Sequence, residues 1–360
     1  MKERSSNLEI LRIVAMLIII AHHYVVNSGI VQLYDYSNIT ANMIFLQFFG
    51  FGGKMAINIF VLISSYFMCQ YKLTWKKVLK LYLEVKFYAI VIYIIFVITG
   101  YDVLSLRRIV RVLFNMIYGV NVSFMGSFLA FYLLVPFLNR MRSALSRKMH
   151  LELCGVLLFI YTIISTFSIM NDTWNYIGWY VTLYFVASYI RIYPNRYTQN
   201  VKYGIIIMVG SLILIFASIL CVDFVGYKIA GFEQPYYMVV DSNKLLALTC
   251  AMGFFLTFKN IKIRNNKYVN MVSASTFGIF LIHTQGRAMT RFLWQTVFDN
   301  CKYYDSKWLS LHAVLSVFCV FLVCMIIDML RKRFLEKPIM NKLSKIESLN
   351  KECFAERKQN

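Results

Sequence analysis

Long apolar runs alternate with short polar segments along the whole chain. A membrane-spanning helix needs roughly 20 predominantly apolar residues. Ten runs meet that need, at about residues 8–30, 43–69, 78–100, 122–139, 151–170, 177–193, 201–225, 238–258, 272–290 and 308–330. The pattern predicts an all-α integral membrane protein, a polytopic bundle of ten transmembrane helices over residues 1–330 and a tail over residues 331–360.

Composition agrees with this class. The chain is 59% hydrophobic and 15% charged, with a mean hydropathy of +0.60, whereas soluble domains carry about 25% charged residues. The 25 Tyr and 30 Phe suit helix ends at lipid interfaces. No small-residue cleavage site follows the first run, so it is expected to stay as a signal anchor. The eight cysteines are scattered and form no C-x-x-C pair, which predicts neither a disulfide framework nor a zinc site. No metal is expected.

A net charge of +21 would suit nucleic acid, but its distribution excludes that partner. With the N-terminus placed in the cytoplasm, 27 Lys and Arg fall in cytoplasmic segments and eight outside, with Lys54, Lys86 and Lys244 inside runs. Basic residues mark cytoplasmic loops, so both termini are predicted in the cytoplasm of a multi-pass cell-membrane protein. The outer loop 101–121 carries Arg107, Arg108 and Arg111 and reads as an interfacial amphipathic helix. The basic tail reads as a cytoplasmic segment drawn to anionic lipid.

Ionisable groups inside a membrane are expensive and mark function or buried pairing. The stretch LRIVAMLIIIAHHYVV holds Arg12, His22 and His23. At 100° per residue Arg12 and His23 differ by about 20° and about 16 Å along the axis, so they share a face. Glu9, one turn before Arg12, is its natural ion-pair partner. In FGGKMAINIFVLISSYF, Lys54 and Asn58 share a face beside Gly50, Gly52 and Gly53. Two readings stand there: a broken helix lining a cavity, and a tight helix crossing with Lys54 snorkelling outward. In SASTFGIFLIHTQGRAMTRFLW, His283 precedes Arg287 by four residues, one face of a continuous helix, and Asp241, Asn243 and Lys244 open the preceding run. A shared polar cavity accounts for these groups together.

The chain resembles the membrane acyltransferase-3 family, most closely its Gram-positive branch acting on surface polysaccharides. The resemblance rests on NLEILRIVAMLIIIAHHY with its R-x10-H spacing, GGKMAINIFVLISSYF, FYLLVPFLN, WYVTLYFVASYIRIY and STFGIFLIH, in order. It implies an enzyme that passes an acyl group, usually acetyl from cytoplasmic acetyl-CoA, to a hydroxyl of a cell-surface or lipid-linked polysaccharide, beside the polysaccharide biosynthesis machinery. No bound cofactor is implied; acetyl-CoA is the donor. The family's Arg and His carry over to Arg12 and His23, and the basic positions associated with CoA to Lys76 and Lys77. The chain departs from the pattern at Ser65, where relatives have glycine, at Ser123-Phe124, where they have Trp-Phe, and at the lysine pair, where arginine is usual.

Acyl transfer needs a base, an oxyanion stabiliser and a seat for CoA. A neutral imidazole suits the first role, which points to His23; an acyl-histidine is the alternative. Arg12, Lys76 and Lys77 suit CoA phosphates, and Lys54, Asn58 and His283 are candidates for the acceptor or the oxyanion. The competing readings are a transporter or flippase for a polysaccharide or lipid-linked sugar, a glycan polymerase, whose large outer loop is missing here, and a non-catalytic relative.

Overall fold

A computed structural model describes residues 5–120, 123–167, 175–226, 228 and 233–354. It is all-α among these residues apart from one bridge between Thr74 and Glu352. Among the described residues seven helical segments are long and apolar enough to cross a membrane: Ser6–Val26, Ala41–Met68, Trp75–Ile98, Phe124–Ala144, Arg147–Phe167, Val201–Val225 and Leu309–Leu343. The chain is a multi-pass membrane protein. These segments correspond to seven of the ten predicted runs; residues 122 and 168–170 of those runs, and 355–360 of the tail, lie outside the described residues.

The other three runs take different forms. Residues 177–193 make the 17-residue helix Tyr176–Ile192, and 238–258 yield the 16-residue Leu245–Asn260. The run 272–290 is broken into Lys267–Ser273, Thr276–His283 and Gly286–Arg291. Gly286 has φ +73°, a left-handed conformation that glycine adopts freely and that turns the chain between the second and third of these helices.

The longer helices are numbered α1 (Ser6–Val26), α2 (Ala41–Gly50), α3 (Gly53–Met68), α4 (Trp75–Ile98), α5 (Leu106–Leu113), α6 (Phe124–Ala144), α7 (Arg147–Leu158), α8 (Tyr176–Ile192), α9 (Val201–Cys221), α10 (Leu245–Asn260), α11 (Lys267–Ser273), α12 (Thr276–His283), α13 (Gly286–Arg291) and α14 (Leu309–Arg331). Helix continues beyond α14 to Leu343, 35 residues in all. At 1.5 Å per residue that is about 52 Å, well beyond a hydrocarbon core of about 30 Å.

The chain forms two compact units. The first holds Met1–Phe60, Phe159–Asp172 and Pro194–Met325. Here α1 packs against α2, α10, α11 and α12. The Asn7 amide donates to the carbonyls of Phe258, Lys259 and Ile261, satisfying acceptors that the end of α10 leaves open. Glu9 accepts from Ser273 at 2.5 Å. α9 and α10 lie in close contact through glycines. A Cβ on Gly204 would come within 2.5 Å of the Thr257 nitrogen, and one on Gly253 within 2.4 Å of the Met208 nitrogen. Small residues let membrane helices approach in this way.

The second unit holds Val61–Leu158, Thr173–Tyr193 and Ile326–Asn360. α8 packs on α6 and α7, with Tyr184 donating to Asn139 and the buried His150 bonded to the Phe185 carbonyl at 3.0 Å. The amphipathic helix predicted in loop 101–121 forms as α5, with Arg107, Arg108 and Arg111 exposed. Lys86 of α4 donates to the Val112 and Leu113 carbonyls and to Asn115, placing a cation at the negative end of α5.

An ionic cluster in this unit joins α4 to the end of α14. Arg331 contacts Glu84 at 2.7 Å, Asp328 at 2.9 Å and Glu336 at 3.0 Å. Lys332 pairs with Asp328, Lys80 with Glu336, and Tyr88 donates to Asp328 at 2.8 Å. Three carboxylates face three cations, and Glu84, Asp328 and Arg331 are buried.

Candidate active site

The end of α1 presents His22, His23 and Tyr24 in succession, and each bonds a different element. His22 Nδ1 lies 2.5 Å from the Gly50 carbonyl oxygen at the end of α2. His23 Nδ1 lies 3.0 Å from His283 Nε2 at the end of α12. The Tyr24 hydroxyl lies 2.8 Å from His312 Nδ1 on α14. The three directions follow from the 100° step of the helix. The His22 and His23 rings are 5.7 Å apart between centroids, and those of His23 and His283 are 5.2 Å apart. His283 is 1% exposed and His23 half-buried.

Breaks in neighbouring helices bring these partners in. Helix stops at Gly50 and resumes at Gly53, so both readings of the glycine stretch hold in part: the segment is broken, and it also crosses α1 tightly. A Cβ on Gly52 would meet the Ile18 Cγ2 at 2.3 Å, and one on Gly53 would meet the His22 ring at 2.3 Å. Gly53→Ala is therefore expected to displace the imidazole and destabilise the protein by about 1–3 kcal/mol, the usual cost of overpacking. A thermal melt in detergent, run beside an acyl-transfer assay, checks it; unchanged values in both would show that the His22 ring moves aside freely.

The remaining candidates are dispersed. Arg12 is half-buried on α1, about 16 Å of helix from His23. Lys54 pairs with Asp241 at 3.1 Å, with side chains 27% and 38% exposed; a pair so exposed contributes little stability. Asn58 is fully buried and donates to the Ser242 carbonyl at 2.6 Å. Asn243 donates to the Tyr161 carbonyl and to Ser165 Oγ, and Lys244 to the Ser165 carbonyl. These four residues fasten the segment before α10. The groups expected to share a polar cavity thus bond directly to neighbouring side chains and backbone carbonyls. Arg287 does not share a helix face with His283, because α12 ends at His283 and Gly286 turns the chain; Arg287 is exposed. Beside α1 lies a cavity of about 390 Å³ lined by Leu17, Ile18, Ala21, Phe45, Phe49 and Met55, among other apolar residues. Among the described residues no three His, Cys, Asp or Glu side chains converge as metal ligands.

The family model described as an acyltransferase domain matches residues 5–329. The chain belongs to the acyltransferase-3 family. No curated protein and no solved structure matches it. The matched span contains α1 with its histidines, the broken α2–α3 segment and α12.

The family's membrane domain also contains Lys76 and Lys77, in the first turn of α4 and in the second unit. Lys76 is half-buried; Lys77 is exposed and donates to the Lys72 carbonyl at 3.1 Å. The tail is fastened beside them. The Cys353 amide donates to the Leu73 carbonyl at 2.8 Å, Glu352 pairs with Lys72 at 3.0 Å, and the Phe354 ring lies 5.2 Å from that of Trp75 and 5.0 Å from that of Phe137. Burial pushes the Cys353 thiol up from its ordinary pKa, which suits a packing residue. Of the other departures from the family pattern, Ser65 is fully buried, and Ser123 caps α6 by accepting from the Gly126 amide at 3.3 Å.

Tyr24 with His312 and the ionic cluster were not candidates on the sequence, and His22 carried no assigned role there. For the cluster a signal was present: Glu84 is a carboxylate inside an apolar run, and Asp328, Arg331 and Lys332 stand at i, i+3 and i+4 spacing.

Proposed function

We propose that the protein is an integral-membrane O-acyltransferase with both termini in the cytoplasm. It moves an acetyl group from cytoplasmic acetyl-CoA to a hydroxyl of a cell-surface or lipid-linked polysaccharide. The observation that carries this reading is the contact between His23 and the buried His283, inside the acyltransferase domain. A half-buried imidazole held by a second imidazole is a positioned base.

His23 takes the proton of the acceptor hydroxyl while the hydroxyl oxygen bonds to the acyl carbon. The C–S bond of the thioester breaks, and the CoA thiolate recovers the proton from His23. Arg12, toward the other end of the same helix, and Lys76 and Lys77 suit the CoA phosphates as cationic contacts. Lys54, one residue after the glycine that packs on His22, is the candidate for the oxyanion. Asn58 has weaker support there, since it is buried and bonded to Ser242.

The test compares O-acetyl content of the surface polysaccharide between wild type, a deletion and complemented strains. It is paired with transfer from labelled acetyl-CoA by the purified protein in liposomes. Acetyl esters lost on deletion, with label transferred in vitro, support the enzyme. Unchanged acetylation with less or shorter polysaccharide supports the transporter. The double variant Lys76→Gln/Lys77→Gln is expected to raise the KM for acetyl-CoA roughly tenfold, about 1.4 kcal/mol, with kcat retained. An unchanged KM removes these lysines from the donor site.

A further inference from the structure

Two backbone carbonyls set the protons of three imidazoles near the end of α1. The His22 Nδ1 lies 2.5 Å from the Gly50 carbonyl oxygen, and the His283 Nδ1 lies 2.6 Å from the Ile279 carbonyl oxygen. A carbonyl oxygen only accepts, so Nδ1 of each ring carries a proton. A neutral imidazole protonated at Nδ1 has a lone pair at Nε2. The His283 Nε2 is the atom 3.0 Å from His23 Nδ1. The proton in that bond therefore comes from His23. His23 is also protonated at Nδ1, and its lone pair sits on Nε2.

We propose that the Ile279 carbonyl and His283 form a relay that fixes the tautomer of His23 and makes Nε2 the atom that accepts the substrate proton. His283 is then a positioning residue rather than a contact for the acceptor or the oxyanion. The proposal rests on the reading of His23 as the base. A doubly protonated His283 would reverse the bond, leave the His23 proton on Nε2 and remove the base. At 1% exposure such a ring would carry a buried charge, whose desolvation is expensive.

The transfer step balances. The acceptor O–H proton passes to His23 Nε2, the C–O bond forms and the C–S bond breaks, and the thiolate takes the proton back from Nε2. Throughout, the His23 Nδ1–H stays donated to His283, whose own Nδ1–H rests on Ile279. The ring is held in one orientation and the transient positive charge faces an acceptor. A serine-type triad uses a carboxylate at this position, and there the wrong tautomer is costly. Here a second imidazole, itself fixed by main chain, supplies the acceptor.

The chain has five histidines, few enough for ring-nitrogen spectroscopy. Protein labelled with ¹⁵N-histidine would be examined in lipid by solid-state NMR, with His23→Gln used to identify the His23 signals. The expected result is a His23 ring protonated at Nδ1 and bare at Nε2. His283→Leu, which lacks an acceptor, is expected to mix the tautomers and lower kcat roughly 100-fold, with the KM for acetyl-CoA within about twofold. His283→Gln, whose amide oxygen accepts the same proton, is expected to recover activity to within about fivefold of wild type. A wild-type His23 protonated at Nε2, or equal losses in the Leu and Gln variants, would overturn the relay. If His283→Leu does not fold, the wild-type spectrum and the Gln variant decide. The tautomer is read without donor or acceptor present. Failure of wild-type protein to transfer label therefore counts against the proposed function, while the spectrum separately judges the relay.

Discussion

His23→Ala is expected to slow acyl transfer by about 10²–10⁴-fold, the range that a positioned general base supplies. The effect should fall on kcat. The imidazole meets the reacting hydroxyl in the proposed mechanism, whereas other residues are the proposed contacts of the donor's phosphates. The protein should remain folded, because the neighbouring anchors of α1 stay in place: His22 to Gly50, Tyr24 to His312 and Asn7 to the end of α10. His22→Ala is the matched control. It removes a ring that fills the space against Gly53, so its loss should register in stability as well as in rate. Steady-state transfer from labelled acetyl-CoA, with a thermal melt of each variant, separates the two. A His23→Ala protein retaining more than about a tenth of wild-type kcat would remove His23 as the base.

Arg331→Leu is the second large expected effect, and it concerns stability. The substitution leaves Glu84, Asp328 and Glu336 facing only Lys80 and Lys332. Removing one partner of a buried ion pair strands the remaining charge and costs about 3–5 kcal/mol. A combined replacement, Arg331→Leu with Glu84→Leu, should recover part of the loss, because the carboxylate most directly left without its partner goes as well. Unfolding in detergent, followed by tryptophan fluorescence or circular dichroism, gives the comparison. A single variant within about 1 kcal/mol of wild type would mean that water screens the cluster as it screens surface pairs.

The membrane class and the Arg12–His23 register were legible in the sequence, and a break at Gly50 to Gly53 was one of two readings open there. Each is a local property of residue type and spacing. The sequence did not show which neighbour each α1 side chain would meet, since helical periodicity fixes a direction and leaves the partner open. His22 lies about 80° around α1 from Arg12, and that direction takes it to the Gly50 carbonyl. Arg287 was grouped with His283 by assuming helix through Gly286, where φ is +73°. Asn243 and Lys244 carry the residue types of a catalytic cavity but fasten α10 to Ser165. The Glu84–Arg331 pairing joins residues 247 positions apart, a relation that no local pattern encodes.

That separation has a consequence for how the chain is made. The ribosome delivers α4 to the membrane long before Arg331 is translated. During that interval Glu84 lies in an apolar segment without its guanidinium partner, and a carboxylate there is unfavourable. The guanidinium partner arrives with α14. A nascent chain that stops short of α14 holds Glu84 without that partner, so the two halves of this pairing meet only after most of the membrane domain has been made.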